Sequence, residues 1–251
     1  MKALHKRLGY SDKDFETYIL QNYGDGKSID AIAEQLSAHR ETLAKYFKKY
    51  GIRTRSHIEQ HLINAKRCCL SDLEVDVLNG IMLADGHLST SSISARLSYG
   101  CKYKETLADI RSSMPSLRFC NDWQDQSTKC WHFKSSFYLD LKQHHNKWYV
   151  DGKKIVPTDF RLTPTVGYWW FIGDGFQCDY GVVLCTESFA QKELLISKLI
   201  DVGFSSHVIP SSGRIRIESQ SAMAFLEWAG SVGIAEQYKY KWDNKWRQRK
   251  K

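Results

Sequence analysis

The chain has 251 residues, 42% hydrophobic and 25% charged, enough apolar material for one large core or two modest ones and too much for wholesale disorder. A formal charge of +8 favours a polyanionic partner, nucleic acid ahead of an anionic membrane. No run of about 18 apolar residues suits a membrane span, and "MKALHKRLGY" lacks the apolar stretch of a signal peptide, so an intracellular location is expected. The seven cysteines are odd in number and form no CxxC pair; they read as free thiols in a reducing compartment, most of them small buried hydrophobes.

Residues 1–67 read as an all-α module with a basic connection at its end. In "KSIDAIAEQLSAHRETLAKYFKKYGIRTRS", Ile29, Ile32, Ala33, Leu36, Leu43, Tyr46 and Phe47 recur at helical spacing, interrupted by a short polar turn. Ser28 is placed to cap the first helix. Ser37 occupies the turn position that usually favours glycine. Arg40, Thr42 and Lys45 fall on the wet side of the second helix. The pattern resembles a helix-turn-helix, whose second helix enters the major groove; the bland alternative is a plain helical hairpin.

The remainder contains two related halves, 68–160 and 161–251. In the first, Ser71 and Glu74 fit a capping box, and an apolar helix runs to Asp85-Gly86. Leu88, Ile93, Ala95 and Leu97 then suggest extended structure, and "YKETLADIRSSM" an amphipathic helix. In the second, Thr163 caps a helix with Pro164 at its first position, and this helix reaches Asp174-Gly175. A strand-like "YGVVLCTESF", a helix "AQKELLISKLIDVG" and a hairpin "SHVIPSSGRIRIES" follow. Such recurrence marks an internal repeat. The tail, "YKYKWDNKWRQRKK", interleaves Trp242 and Trp246 with basic residues.

A carboxylate at the carbonyl end of a helix is electrostatically misplaced. If the two apolar helices pack side by side through Gly80, Ala84, Trp169 and Gly173, Asp85 and Asp174 meet at one end of the seam and repel each other. Divalent cations are the expected remedy. Oxygen-only ligation points to Mg²⁺, with Mn²⁺ as a substitute, and metal on a basic surface points to phosphodiester chemistry. The adjacent His144 and His145 point in different directions, so a polar turn or a DNA-backbone contact is expected of them rather than metal.

"LNGIMLADGHL" and "GYWWFIGDGF" resemble the paired signature helices of LAGLIDADG homing endonucleases, and "KWYVDGKKIVPTDFRLTPTVGYWWFIGDG" and "YKYKW" are similar to one branch of that family. The resemblance covers about Ser71 to Trp242 and leaves the helix-turn-helix as an appendage. It implies an α+β fold of two pseudo-symmetric αββαββα half-domains with curved antiparallel sheets that straddle double-stranded DNA. It also implies a single-chain monomer that cuts both strands and leaves short 3′ overhangs. Asp85 and Asp174 match the metal-binding acids, with the carbonyls of Ala84 and Gly173 beside them. Lys154 (or Lys153) and Lys241 (or Lys239) match the basic residue that in each half polarises water or steadies the phosphate. Gln177, Glu187, Arg214 and Arg216 join Lys153 and Lys239 as implied DNA contacts. Asn79 departs from the usual alanine, and Trp169 from the small residue at Gly80, which implies an asymmetric seam with an indole facing a gap. Relatives of the same fold include non-cleaving transcription regulators and RNA maturases, which keeps a regulator and an intron-RNA partner as alternatives.

Overall fold

The computed structural model describes residues 3–186 and 189–243, in two compact units, 1–65 and 66–251. Glu187 and the tail beyond Asp243, Trp246 included, lie outside the described residues. Among the described residues no helix is long and apolar enough to cross a membrane.

The first unit is all helical: α1 Leu4–Arg7, α2 Asp12–Gly24, α3 Ile29–Gln35, α4 Arg40–Lys49 and α5 His57–Asn64. Its core gathers Phe15 and Ile19 from α2, Ile32 and Ala33 from α3, and Leu43 and Phe47 from α4, with Leu36 from the turn. Ile29 and Tyr46 are only partly buried against it. Ser28 caps α3 by accepting from the Ala31 N–H. In the turn between α3 and α4, Ser37 has φ 47°, the left-handed conformation that glycine adopts at least cost.

The second unit repeats one plan twice. The first half runs α6 Asp72–Leu83, β1 His87–Thr90, β2 Ala95–Cys101, α7 Lys104–Ser113, β3 Trp123–Gln124, β4 Trp131–Lys134 and α8 Leu139–Trp148, and it ends in the small hairpin β5 Tyr149–Val150 and β6 Lys153–Lys154. The second runs α9 Pro164–Asp174, β7 Gly175–Cys178, β8 Gly181–Leu184, α10 Lys192–Asp201, β9 Ser206–Val208, β10 Ile215–Glu218 and α11 Ser219–Gly230, followed by a 3-10 turn at Glu236–Lys241. The sheets are β1-β2-β4-β3 and β7-β8-β10-β9, so their strand orders superimpose one for one, and every ladder in them is antiparallel. The single strand read in "YGVVLCTESF" is only β8; its hairpin partner β7 begins at Gly175, directly after the helix.

Capping follows the local sequence. Ser71 and Glu74 make both bonds of a capping box on α6, and the Thr163 hydroxyl accepts from the Val166 N–H at the start of α9. The same Thr163 hydroxyl donates to Asp76 on α6, tying the starts of the two helices together at 2.8 Å.

One core spans both halves, with α6 and α9 along its middle. Gly80 makes this close approach possible: a Cβ there would stand 2.6 Å from the Cβ of Trp169 and 2.8 Å from the carbonyl oxygen of Val166. One turn on, a Cβ on Gly173 would run into the Ala84 side chain. The Trp169 indole, 4% exposed, passes Gly80 to line a groove of about 390 Å³ with Leu73 and Val77. Asn79 is also employed, its Oδ1 accepting from the buried Trp148 Nε1–H at 3.3 Å. The cysteines divide differently from expectation: only Cys68 and Cys101 are buried, because Cys69 and Cys120 fall in exposed connections and the rest at half-covered positions. All seven are free.

Because the obstacles at Gly80 are main chain and a Cβ, which cannot swing aside, Gly80→Ala forces the two helices apart. A loss of about 1–3 kcal/mol is expected, read as a lower urea midpoint in equilibrium unfolding.

Candidate active site at the helix seam

Both acids sit where α6 and α9 end. α6 stops at Leu83, and the Gly86 N–H folds back to the Ile81 carbonyl at 2.7 Å, leaving Asp85 at the outside of the bend. A Cβ on Gly86 would lie 2.5 Å from that same carbonyl, so only glycine lets β1 leave so tightly. In the other half the Gly175 N–H caps the Phe171 carbonyl, and a Cβ on Gly175 would stand 2.7 Å from that oxygen. Each "DG" thus sets an acid beside a glycine that no residue with a side chain can replace.

Two lysines come to these ends. Lys154 Nζ donates to the carbonyls of Ala84 (3.0 Å) and Gly86 (2.8 Å). Lys241 Nζ donates to Phe171 (3.1 Å), Ile172 (2.7 Å) and Gly175 (2.7 Å). A cation is the favoured partner of a helix carbonyl end. Lys154 arrives on the β5-β6 hairpin, whose Asp151-Gly152 turn has φ 50° and 73°, the paired positive values of a tight hairpin turn. Lys241 arrives on the 3-10 turn.

The four charges feel one another. Burial lowers Lys154 and Lys241 to about 8 each, against the opposing pull of Asp174 and Asp85 on both. Asp85 reaches the surface of an open groove, yet the protein around it displaces enough water to raise its carboxyl above the ordinary range, in spite of Lys154 and Lys241. Beneath lies Tyr99, fully enclosed, its hydroxyl proton held tightly by burial and by both aspartates; a Cβ on Gly173 would stand 3.4 Å from that hydroxyl. Two ammonium groups thus stand with the aspartates at the helix ends and offset part of the charge there, without returning the Asp85 carboxyl to its ordinary value.

The donor set still fits a hard cation: two carboxylates with main-chain carbonyls beside them, all oxygen. Among the described residues no cluster of three or more His, Cys, Asp or Glu could hold a metal by itself, so remaining ligands would have to come from main chain, solvent or substrate. The Ala84 carbonyl would be shared with Lys154.

The sheets add outer faces. On the first, His87, Ser98 and Lys134 stand in one row and Gly100, His132 and Trp123 in the next. Gly100 leaves room for the His132 ring, which stacks on Trp123 (5.5 Å, 18°), and Lys134 lies over the same indole at 5.0 Å. Asp85 shares a groove of about 440 Å³ with this array. Arg96 lies opposite Ser89 on the same face, its guanidinium 4.7 Å from the Phe137 ring. None of these first-half strand residues was singled out from sequence. The alternation in "SARLSYG", with Ala95, Leu97 and Tyr99 buried and Arg96 and Ser98 not, was the available signal.

On the second sheet Arg216 is in register with Val183 and His207, and Arg214 lies over Phe176 at 5.8 Å. Gln177 is corrected. It falls in the row of Val182 and Ile217, where the first half has the buried Leu88, and its Nε2–H donates to the Lys241 carbonyl at 2.6 Å. It therefore holds the lysine-bearing turn instead of facing outward. Lys153 is exposed on β6, and Lys239 is exposed and paired with Glu236. In the separate N-terminal unit Arg40 pairs with Asp30 at 3.0 Å and Lys45 is exposed, with Thr42 half-covered beside them. His144 and His145 belong to helix α8, not to a turn. His144 lines a cleft with Asp76 and Asp159, while His145 stacks on Tyr149 (4.7 Å, 12°).

A sequence profile described as the LAGLIDADG DNA endonuclease family matches residues 75–225, both helices and both sheets included. The chain belongs to that family. A structure of the homing endonuclease I-WcaI bound to its DNA recognition sequence has the same fold, with a TM-score of 0.56 at 18% identity over 77% of this chain and 96% of that one. Full-length DUF199/WhiA from Thermatoga maritima gives 0.47 at 11% identity, over 72% and 62%. The cytochrome b mRNA maturase bI2 of Debaryomyces hansenii is 29% identical over 76 residues, and the match spans 29% of each chain.

The lysine values invite a direct reading. With lysine ε-carbons labelled for NMR, two resonances are expected to titrate near pH 8, below the ordinary value of 10.5. Asp174→Asn removes an anionic neighbour that supports both ammonium groups, so both midpoints are expected to fall further; an upward shift would contradict this geometry.

Proposed function

We propose that the protein is a site-specific, divalent-metal-dependent DNA endonuclease that hydrolyses both strands of a long duplex target as a monomer, leaving short 3′ overhangs. The observation that carries this reading is the meeting of two carboxylates and two depressed lysines at one end of a helix seam flanked by two outward-facing sheets. Binding alone gives no reason to gather that set.

Asp85 and Asp174, with the carbonyls of Ala84 and Gly173, would hold Mg²⁺ or Mn²⁺. When bound, such an ion stabilises charge on a reacting phosphate and makes water more acidic. The chain's own residues supply the rest. With values near 8, Lys154 and Lys241 are partly neutral at physiological pH, so each is suited to exchange a proton at Nζ; in the charged form each steadies a phosphate. Main-chain carbonyls fix both ammonium groups before substrate arrives, which limits reorganisation. Arg96, Lys134, Arg214 and Arg216 offer backbone and base contacts from the sheets, and Lys153 and Lys239 add positive charge beside the lysine-bearing turns. In the first unit, Arg40, Thr42 and Lys45 on α4 suit a major groove, which would extend the recognised site.

The test uses a randomised duplex library in a plasmid, with Mg²⁺ or Ca²⁺. Discrete double-strand cleavage is expected with Mg²⁺ alone. Asp85→Asn and Asp174→Asn are each expected to leave one strand intact and accumulate nicked circles. Full cutting by both single variants would remove the chemistry from this seam. Similarity to an mRNA maturase supports a second reading, binding of intron RNA; retention of an intron transcript without any DNA cleavage would favour it. A separate expectation concerns α4. Lys45→Ala weakens binding to all duplexes alike and lowers the salt slope by about 1, measured by titration at several salt concentrations, if Lys45 meets a phosphate.

A further inference from the structure

The halves differ two residues past each aspartate. The first has His87 there and the second Phe176, and both side chains lie on the outer face of the opening strand. His87 lines the groove that holds Asp85, in one row with Ser98 and Lys134. Its Nδ1 is 2.8 Å from the hydroxyl of Tyr149. Tyr149 is the residue directly opposite Lys154 in the β5-β6 hairpin, and its ring is stacked on His145. One small hairpin therefore sets the lysine on the helix end and the histidine beside the acid.

The Tyr149 oxygen receives the Leu88 N–H at 3.4 Å, and its own O–H is within reach of His87 Nδ1. When Tyr149 donates that bond, the imidazole proton sits on Nε2, as a donor at the groove. Phe176 has no donor, and its ring carries the Arg214 guanidinium instead.

We propose that His87 contacts the substrate at the Asp85 centre alone, donating Nε2–H to a phosphate oxygen of the strand hydrolysed there, with Tyr149 as its positioning residue. This rests on the nuclease reading above. The two strands are then cut by chemically unequal centres, and the Asp85 strand depends on a donor that the other lacks.

The test is strand-resolved hydrolysis, in Mg²⁺, of an end-labelled duplex recovered from the plasmid library. The strand served by Asp85 is assigned from the Asp85→Asn nick. His87→Phe, which installs the second half's residue, is expected to slow that strand about 10²-fold, the order of one lost transition-state donor, and to leave the other strand unchanged. His87→Gln keeps an N–H donor and should restore part of the rate, while Tyr149→Phe should slow the same strand by a smaller factor. A merely structural role is separated by the Lys154 titration, which must stay near pH 8 in His87→Phe. If it moves toward 10.5, the rate loss belongs to a displaced lysine and the proposal is overturned. Equal slowing of both strands, or of neither, also overturns it while the nuclease reading stands. Absence of any cleavage by the unaltered protein brings down the nuclease reading and this inference with it.

Discussion

Everything distinctive in the second unit follows from how closely α6 and α9 approach. Gly80 against Val166 and Trp169, and Ala84 against Gly173, leave no room for an added carbon along the seam. Two helices that close, running to the same end, deliver two sets of unpaired carbonyls and two acids to one place. The electrostatic penalty there is met in part by Lys154 and Lys241, which arrive from segments far along the chain. Packing creates the charged site, and the lysines make it tolerable.

The seam is symmetric in plan and unequal in detail. Strand orders match one for one, and each half ends in a segment that returns a lysine to its own helix end. Yet that segment is a hairpin in one half and a 3-10 turn in the other. It is anchored through Trp148 on Asn79 in the first and through Gln177 in the second. Two departures from the family pattern at Asn79 and Trp169 thus have structural employment. Gln177, at the position of the buried Leu88, holds a lysine-bearing turn.

The acids were legible in the sequence because their setting is local: a capping residue, an apolar helix, then Asp-Gly, twice. So was the helical first unit, whose buried Ile32, Leu36, Leu43 and Phe47 keep helical spacing. The first sheet's outer face was less legible. Its strands are as short as two residues, and Trp123, His132 and Lys134 acquire a common face only through cross-strand register, which spacing within a single strand does not encode. The burial of the cysteines is illegible for a related reason, since burial of a small side chain depends on which connection it falls in.

By itself the sequence determined the repeat, the caps, the two Asp-Gly helix ends and the positive charge, because each depends on residues within a turn or two of one another. Tertiary structure decided the rest. It chose which lysine of each pair reaches a helix end, put Gln177 on the inner face, set His87 beside Tyr149, and seated both ammonium groups on the main-chain carbonyls of the helix ends. These outcomes require segments 60 or more residues apart to meet, as Lys154 and Ala84 do, and only the packed core specifies such meetings.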